Sequence, residues 1–317
     1  MLYKLKENRV YRTYIGGKHI DEFCGKGNPE NGFFPEDWTA STVKAFNPGR
    51  EAIDEGEGKT GEGISVKELV NGEMTCLVKL LDSDERLVIQ VHPTVDFAKK
   101  YFNSKFGKTE CWYFLDCAED AYVYLGFKEG ISKDEWIAAV KNQNIDLMLS
   151  MLNRISVKNG DCILVEGGIP HAIGEGCFMI EVQEPSDLMG VVEKRTPSGK
   201  EIPDIKLHGG IGFDNMLRMF NYRGESFADI KEKYIYSPRE ISKNVFEVIG
   251  RNETDKFSIC LIKDGGSFVP PRKNGVIIVT QGNGKINGTE VKKGDRLFFN
   301  SDDKIVAEDG TEAVICC

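Results

Sequence analysis

Gln90 and His92 stand two residues apart in the run QVHP. In a strand that spacing points both side chains to one face, an amide beside an imidazole. Glu110 opens a later apolar run, and Lys108 lies two residues before it on the same face. His171 follows a Gly-Gly turn in EGGIPH. Taken singly, each has a bland reading: a satisfied core histidine, a charged strand end, a histidine in a surface loop. With only four histidines in the chain, two at such positions favour a metal centre.

Short β runs must position these groups. Thr75–Leu81, Arg86–Val91, Cys111–Leu115, Ala121–Phe127, Asp161–Val165 and Cys177–Val182 are rich in β-branched, aliphatic and aromatic residues, with turn residues between most of them. Asp116–Asp120 reads as a turn joining two antiparallel strands. Helices are few. Val95, Ala98 and Phe102 give 93–103 a helical spacing, and Ser132 with Glu135 has the capping-box pattern that starts a helical region through about Leu152. A short helix is expected at 214–220. After about Glu240, short strands and Gly-rich turns return. The expected fold class is therefore mainly β with a few short helices.

A chain of 317 residues can bury a large core and is long enough for two domains. The net charge of -9 argues against a generic nucleic-acid binder, though it leaves room for a local basic pocket. Nine scattered cysteines, none in a CxxC pair, suggest reduced thiols and a cytoplasmic location rather than a disulfide framework or a cysteine zinc finger. The run MLYKLKENRVYRTY lacks the apolar centre of a signal peptide, and no apolar run approaches the ~20 residues needed to span a bilayer. No membrane partner is expected.

The segment VKNGDCILVEGGIPHAI (157–173) aligns without gaps to VKKGDRLFFNSDDKIVA (291–307), with identity at four of seventeen positions. The pattern resembles the second cupin motif, with Gly160, a Glu166-Gly167-Gly168 turn and then His171. Glu166 stands where a Pro is usual. In the second copy Ile305 takes the histidine position. The resemblance implies two cupin barrels of the double-stranded β-helix type: a metal-binding unit at 1–239 and a metal-free unit at 240–317.

QVHP, then GKTECWY beginning at Gly107, then PHAI with a following Ile-Glu, resemble the type I mannose-6-phosphate isomerases in their short bacterial form. YIGGK (14–18) resembles that family's aromatic-Gly-Gly turn, and PEDWTAS (35–41) its Glu-x-Trp segment. The resemblance runs over nearly the whole chain. It implies a zinc ion held by Gln90, His92, Glu110 and His171, and interconversion of mannose 6-phosphate and fructose 6-phosphate. Two imidazoles, a carboxylate and an amide oxygen form a donor set suited to zinc. A single carboxylate leaves net positive charge to polarise a sugar oxygen. Isomerisation also needs acid and base groups. Lys108, beside a dication that would favour its neutral amine, and Glu181 are the candidates, with Glu36 a weaker one.

One departure stands out. The resemblance implies an arginine ten residues after Glu181, where this chain has Val191. Arg195 is four residues further, about 13 Å along an extended strand. Arg195, or Lys194, is the candidate to replace that catalytic charge, and only a bulge or a turn would bring it into the site. Two other readings stay open: a cupin enzyme for another small substrate, and a non-catalytic sugar-binding cupin. Against a redox iron centre stands Gln90, in place of the third histidine more usual there. The partner implied is a phosphorylated hexose. Oligomeric state and phosphate-binding residues are not legible.

Overall fold

A computed structural model describes all 317 residues. Four antiparallel sheets form two units. In the first unit, a seven-stranded sheet runs in the order Ile235–Tyr236, Cys162–Val165, Glu110–Cys117, Cys177–Gln183, Leu77–Ser83, Glu36–Thr39, Arg9–Val10. It faces a five-stranded sheet ordered Gly190–Val191, Gln90–Val91, His171–Ile173, Tyr122–Phe127, Leu152–Ser156. The second unit pairs a seven-stranded sheet with a four-stranded one, built from residues 239–316 plus one early strand. That early strand is Leu2–Lys4, which pairs with Arg296–Asn300, so the second unit's sheet takes in residues from outside 240–317.

Strand alternation explains why the apolar runs of the first large sheet show no polar face. Leu81, Trp112, Phe114, Ile163, Val165 and Met179 point into the first barrel. Their neighbours Leu80, Cys111, Tyr113, Cys162, Leu164 and Ile180 point the other way. There they share one core with Ile259, Val276, Ile278, Phe298 and Val314 of the second unit. The sheet is buried on both faces, so its strands read as continuous apolar runs. Lys79 is a charge inside such a run and points into the barrel with Leu81.

On the five-stranded sheet, Val91 and Ala172 face outward against Trp136, Met148, Met216 and Phe220. Gln90, His171 and Ile173 are therefore left facing the barrel interior. The expected helices lie on this outer side: Val95–Tyr101 behind the Thr94 cap, Lys133–Lys141 with a complete Ser132–Glu135 capping box, and Ile145–Ser150 after a break. The helix expected at 214–220 is a single turn, Phe213–Met216. Lys18–Phe23, Asp204–His208 and Phe227–Tyr234 were not anticipated from periodicity, being five to eight residues long. The run 86–91 contributes only Gln90–Val91 as strand. All nine cysteines are unbridged, and no helix is long and apolar enough to cross a membrane.

The internal repeat is a recurring turn. Gly160 and Gly294 both take positive φ, 85° and 88°. The following aspartates each accept from the backbone N–H of the lysine three residues earlier, Asp161 from Lys158 and Asp295 from Lys292, both at 3.1 Å. Eleven residues beyond each glycine, a return strand begins, at His171 in one unit and Ile305 in the other. Ile305 is buried in the apolar core of the second unit.

Candidate metal centre and its cleft

Gln90 and His171 are direct cross-strand partners, which sets their side chains beside each other on the inward face. His92 follows the same strand, and Glu110 opens the strand across the barrel. The connections are held by two glycines. A Cβ on Gly107 or on Gly167 would come within 2.7 Å of the Pro93 carbonyl oxygen. The Pro93 carbonyl accepts from Lys108 N–H at 3.0 Å, and the His92 carbonyl from Gly168 N–H at 2.8 Å. Glu184 accepts from the N–H groups of Gly107 and Thr109 at 3.2 and 2.9 Å. The glycines of GKTE and EGG are thus the points where three ligand-bearing segments close on one another.

His92, Glu110 and His171 converge, with ligand atoms all within 4.8 Å of one another, and none is more than 1 % exposed. Each imidazole donates Nδ1–H to a backbone carbonyl, His92 to Leu188 at 3.1 Å and His171 to Ile169 at 2.9 Å. That fixes the tautomer and aims both Nε2 lone pairs inward. His92 Nε2 lies 3.0 Å from Glu110 Oε2, and His171 Nε2 lies 3.4 Å from Glu110 Oε1. Trp112 Nε1–H steadies Oε1 at 3.1 Å. Burial first, then Lys108, pushes the His92 imidazole down to about 3; burial likewise lowers His171, so both are neutral. Burial pushes the Glu110 carboxyl up, but the Lys108 ammonium in contact with it holds it ionised.

His171 Nε2 is buried with no hydrogen-bond partner. An orphaned lone pair of that kind carries a desolvation penalty unless an acceptor of electrons meets it. The Lys108 ammonium already stands in as a cation, 2.7 Å from His92 Nε2 and 2.6 Å from Glu110 Oε2. Neutral imidazoles, one carboxylate and an inward amide therefore fit a divalent cation.

Gln90 and Lys108 also line a cleft of about 620 Å³, mouth included. Its floor is a buried ion network. Lys79 Nζ contacts Glu181 at 2.6 Å and Glu36 at 3.6 Å. Arg12 Nε lies 3.0 Å from Glu36, and its two Nη atoms grip Asp187 at 3.0 and 3.2 Å. Glu36 also accepts from Tyr14 OH at 2.8 Å and Trp38 Nε1–H at 2.6 Å. Tyr14 is placed by the YIGGK turn, where a Cβ on Gly16 would meet the Asp82 carbonyl oxygen at 2.0 Å. Burial pushes the Glu181 carboxyl up despite Lys79. Burial also acts to raise Glu36, but Arg12 and Lys79 overcome it and hold that carboxyl well below its ordinary 4.5.

Glu36 is thus poorly suited to donate a proton and well suited to hold Arg12 and Lys79. A carboxyl depressed on folding contributes stability above its unfolded value and loses it on acidification. Glu36→Gln is expected to destabilise the protein most above about pH 5, with the difference from wild type shrinking as pH falls below 4.5. Urea melts of both proteins from pH 3 to 7 check this; a difference constant with pH contradicts it.

The structure corrects one expectation. Arg195 is on the surface, its side chain 64 % exposed and paired with Glu201, and it does not line the cleft. Val191 does line it, packed with Ile202 and Leu207. Beyond Gly190–Val191 the chain leaves the sheet and bends at Lys194, and Arg195 forms an isolated bridge with Glu201 away from the cleft. Arg195→Ala should change stability by less than about 0.5 kcal/mol, as for surface residues generally, and urea melts check it; a loss of several kcal/mol contradicts the exposed placement. Sequence reasoning missed Arg12, Lys79, Asp187 and Lys206. Lys79 had a signal, a lone charge in the apolar run LVKLL; it is the cross-strand partner of Glu181. The others lie in loops or a five-residue helix and gave none.

Comparisons with known proteins agree with this architecture. No protein-family model matches the chain. Mannose-6-phosphate isomerase from Bacillus subtilis is 40% identical over 111 residues, 35% of this chain and 34% of that protein. The chain thus aligns with about a third of the length of the curated relatives it matches. A crystal structure of mannose 6-phosphate isomerase from Bacillus subtilis superposes with a TM-score of 0.77 at 21% identity, covering 100% of this chain and 99% of that one. This chain has the fold of the mannose-6-phosphate isomerases. A further mannose 6-phosphate isomerase, whose structure is bound with zinc and yttrium, gives a TM-score of 0.69 at 14% identity over 99% of this chain and 98% of that one.

Proposed function

We propose that this chain is a zinc-dependent aldose–ketose isomerase of the cytoplasm, interconverting mannose 6-phosphate and fructose 6-phosphate through an enediol(ate). The observation that carries the reading is the orphaned His171 Nε2 in a buried His92–Glu110–His171 cluster, opening through Gln90 and Lys108 into a cleft with a charged floor. The local identity to mannose-6-phosphate isomerases supports the substrate. His92, Glu110, His171 and Gln90 would hold the metal. Zinc bound there supplies a Lewis acid for the sugar's carbonyl and hydroxyl oxygens.

The other work belongs to the chain. Because His92 Nε2 has one lone pair, Lys108 gives up that contact whenever His92 serves as a ligand. The Lys108 side chain and the Glu181 carboxyl, both lining the cleft, are the groups assigned to proton transfer. Glu181, pushed up by burial, is suited to carry one between adjacent carbons. Arg12 and Lys79 are fixed by Glu36 and Asp187, so they present positive charge to a developing enediolate without reorganising. Their near-complete burial keeps water from screening that charge.

The test is a coupled assay with mannose 6-phosphate on protein whose metal content has been measured. About one zinc per chain, with turnover lost on chelation and restored by zinc, is the expected outcome. A metal-replete protein that does not turn over mannose 6-phosphate contradicts the proposal.

A further inference from the structure

Lys206 is the one cation lining the cleft that makes no ion pair. Arg12, Lys79 and Lys108 are each matched to carboxylates. Lys206 is only 7 % exposed, and its single hydrogen bond runs to Asn47 Oδ1 at 3.3 Å. That same oxygen takes a long contact, 3.5 Å, from Arg12 Nη1. Two cations therefore share one neutral acceptor, and the ammonium keeps N–H donors that no protein group satisfies. Burial, then the nearby Arg12 charge, pushes Lys206 down to about 8. The cleft lining carries four cations against three carboxylates, in a chain of net charge -9.

Position matters as much as charge. Lys206 sits on the helix Asp204–His208, which packs against strand Gly190–Val191. Val191 and Lys206 line the same cleft from these two packed elements. Lys206 also lines an adjoining cavity with Lys44 and Phe102. The covering helix thus brings a cation to the part of the cleft that Val191 lines. We infer that Lys206, backed by Arg12, reads the anionic group of the ligand and so decides for phosphorylated over plain sugars. The inference rests on the sugar-phosphate reading above and assigns its phosphate contact.

The probe is glucitol 6-phosphate, an open-chain hexitol phosphate that cannot isomerise, compared with glucitol by calorimetry on the full chain. Lys206→Met keeps the apolar stem and removes a buried charge, so the fold should survive, and a thermal melt checks that it does. In Lys206→Met, affinity for glucitol 6-phosphate should fall about 30-fold and that for glucitol stay within about twofold. Lys206→Arg should keep affinity within about fivefold. In turnover, the Lys206→Met loss should appear in KM rather than kcat. Unchanged glucitol 6-phosphate affinity, equal loss for both probes, or no binding by wild type overturns the inference. If wild type still isomerises mannose 6-phosphate in that case, the proposed function stands without it. A phosphate-selective loss in a chain with no isomerase activity keeps the role of Lys206 and removes the isomerase reading.

Discussion

Replacing His171 by alanine is expected to strip the metal from the protein and to lower turnover of mannose 6-phosphate by about 1,000-fold or more. The magnitude follows from losing Lewis-acid stabilisation worth several kcal/mol, at ~1.4 kcal/mol per decade of rate. His171 has no other partner for its buried Nε2, so its place in the fold is not explained by packing alone. His92→Ala should behave alike, and it also removes the acceptor for Lys108. Elemental analysis of purified variants, beside the coupled assay, separates metal loss from misfolding when read with far-UV circular dichroism. Full metal occupancy in both folded variants would sink the assignment of these histidines as ligands. Removing two imidazoles that are buried neutral should leave the β framework intact, because neither one holds strands together by its side chain.

Lys79→Met is expected to cost about 3–5 kcal/mol of stability, the range for breaking a buried ion pair by deleting one partner. Lys79 lies between Glu181 and Glu36, is 3 % exposed, and also sits over Trp38 at 5.1 Å. Burial alone would pull its ammonium down; the two carboxylates more than offset that and keep it charged. Without it Glu181 would be an uncompensated buried carboxylate and would take up a proton, so turnover should collapse along with stability. Urea denaturation checks the first effect. The companion Lys79→Met/Glu181→Gln pair identifies its source: if the stranded charge is the cause, the double variant should recover much of the lost stability. A Lys79→Met protein as stable as wild type would show the network to be better solvated than its burial implies.

The strands that carry the site could be read from the sequence because their signals are local. Gln90 and His92 two apart in a β run, Glu110 at a strand start and His171 after a Gly-Gly turn each need only the period of a strand or the chemistry of a turn. The repeated Gly-Asp turn was visible for the same reason, and the capping box at Ser132 fixed a helix start by itself. Resemblance then joined these pieces into one ligand set, which spacing alone could not do. What tertiary structure decided is the floor of the cleft. Arg12 and Asp187 are 175 residues apart, and Lys79 and Glu181 are 102 apart. Such pairs are set by sheet order and register, which no local pattern records. The same holds for Arg195 and Lys206. Along the chain Arg195 is the basic residue nearer Val191. In space the chain past the strand leaves Arg195 at the surface beside Glu201, while a short helix buries Lys206 at the cleft.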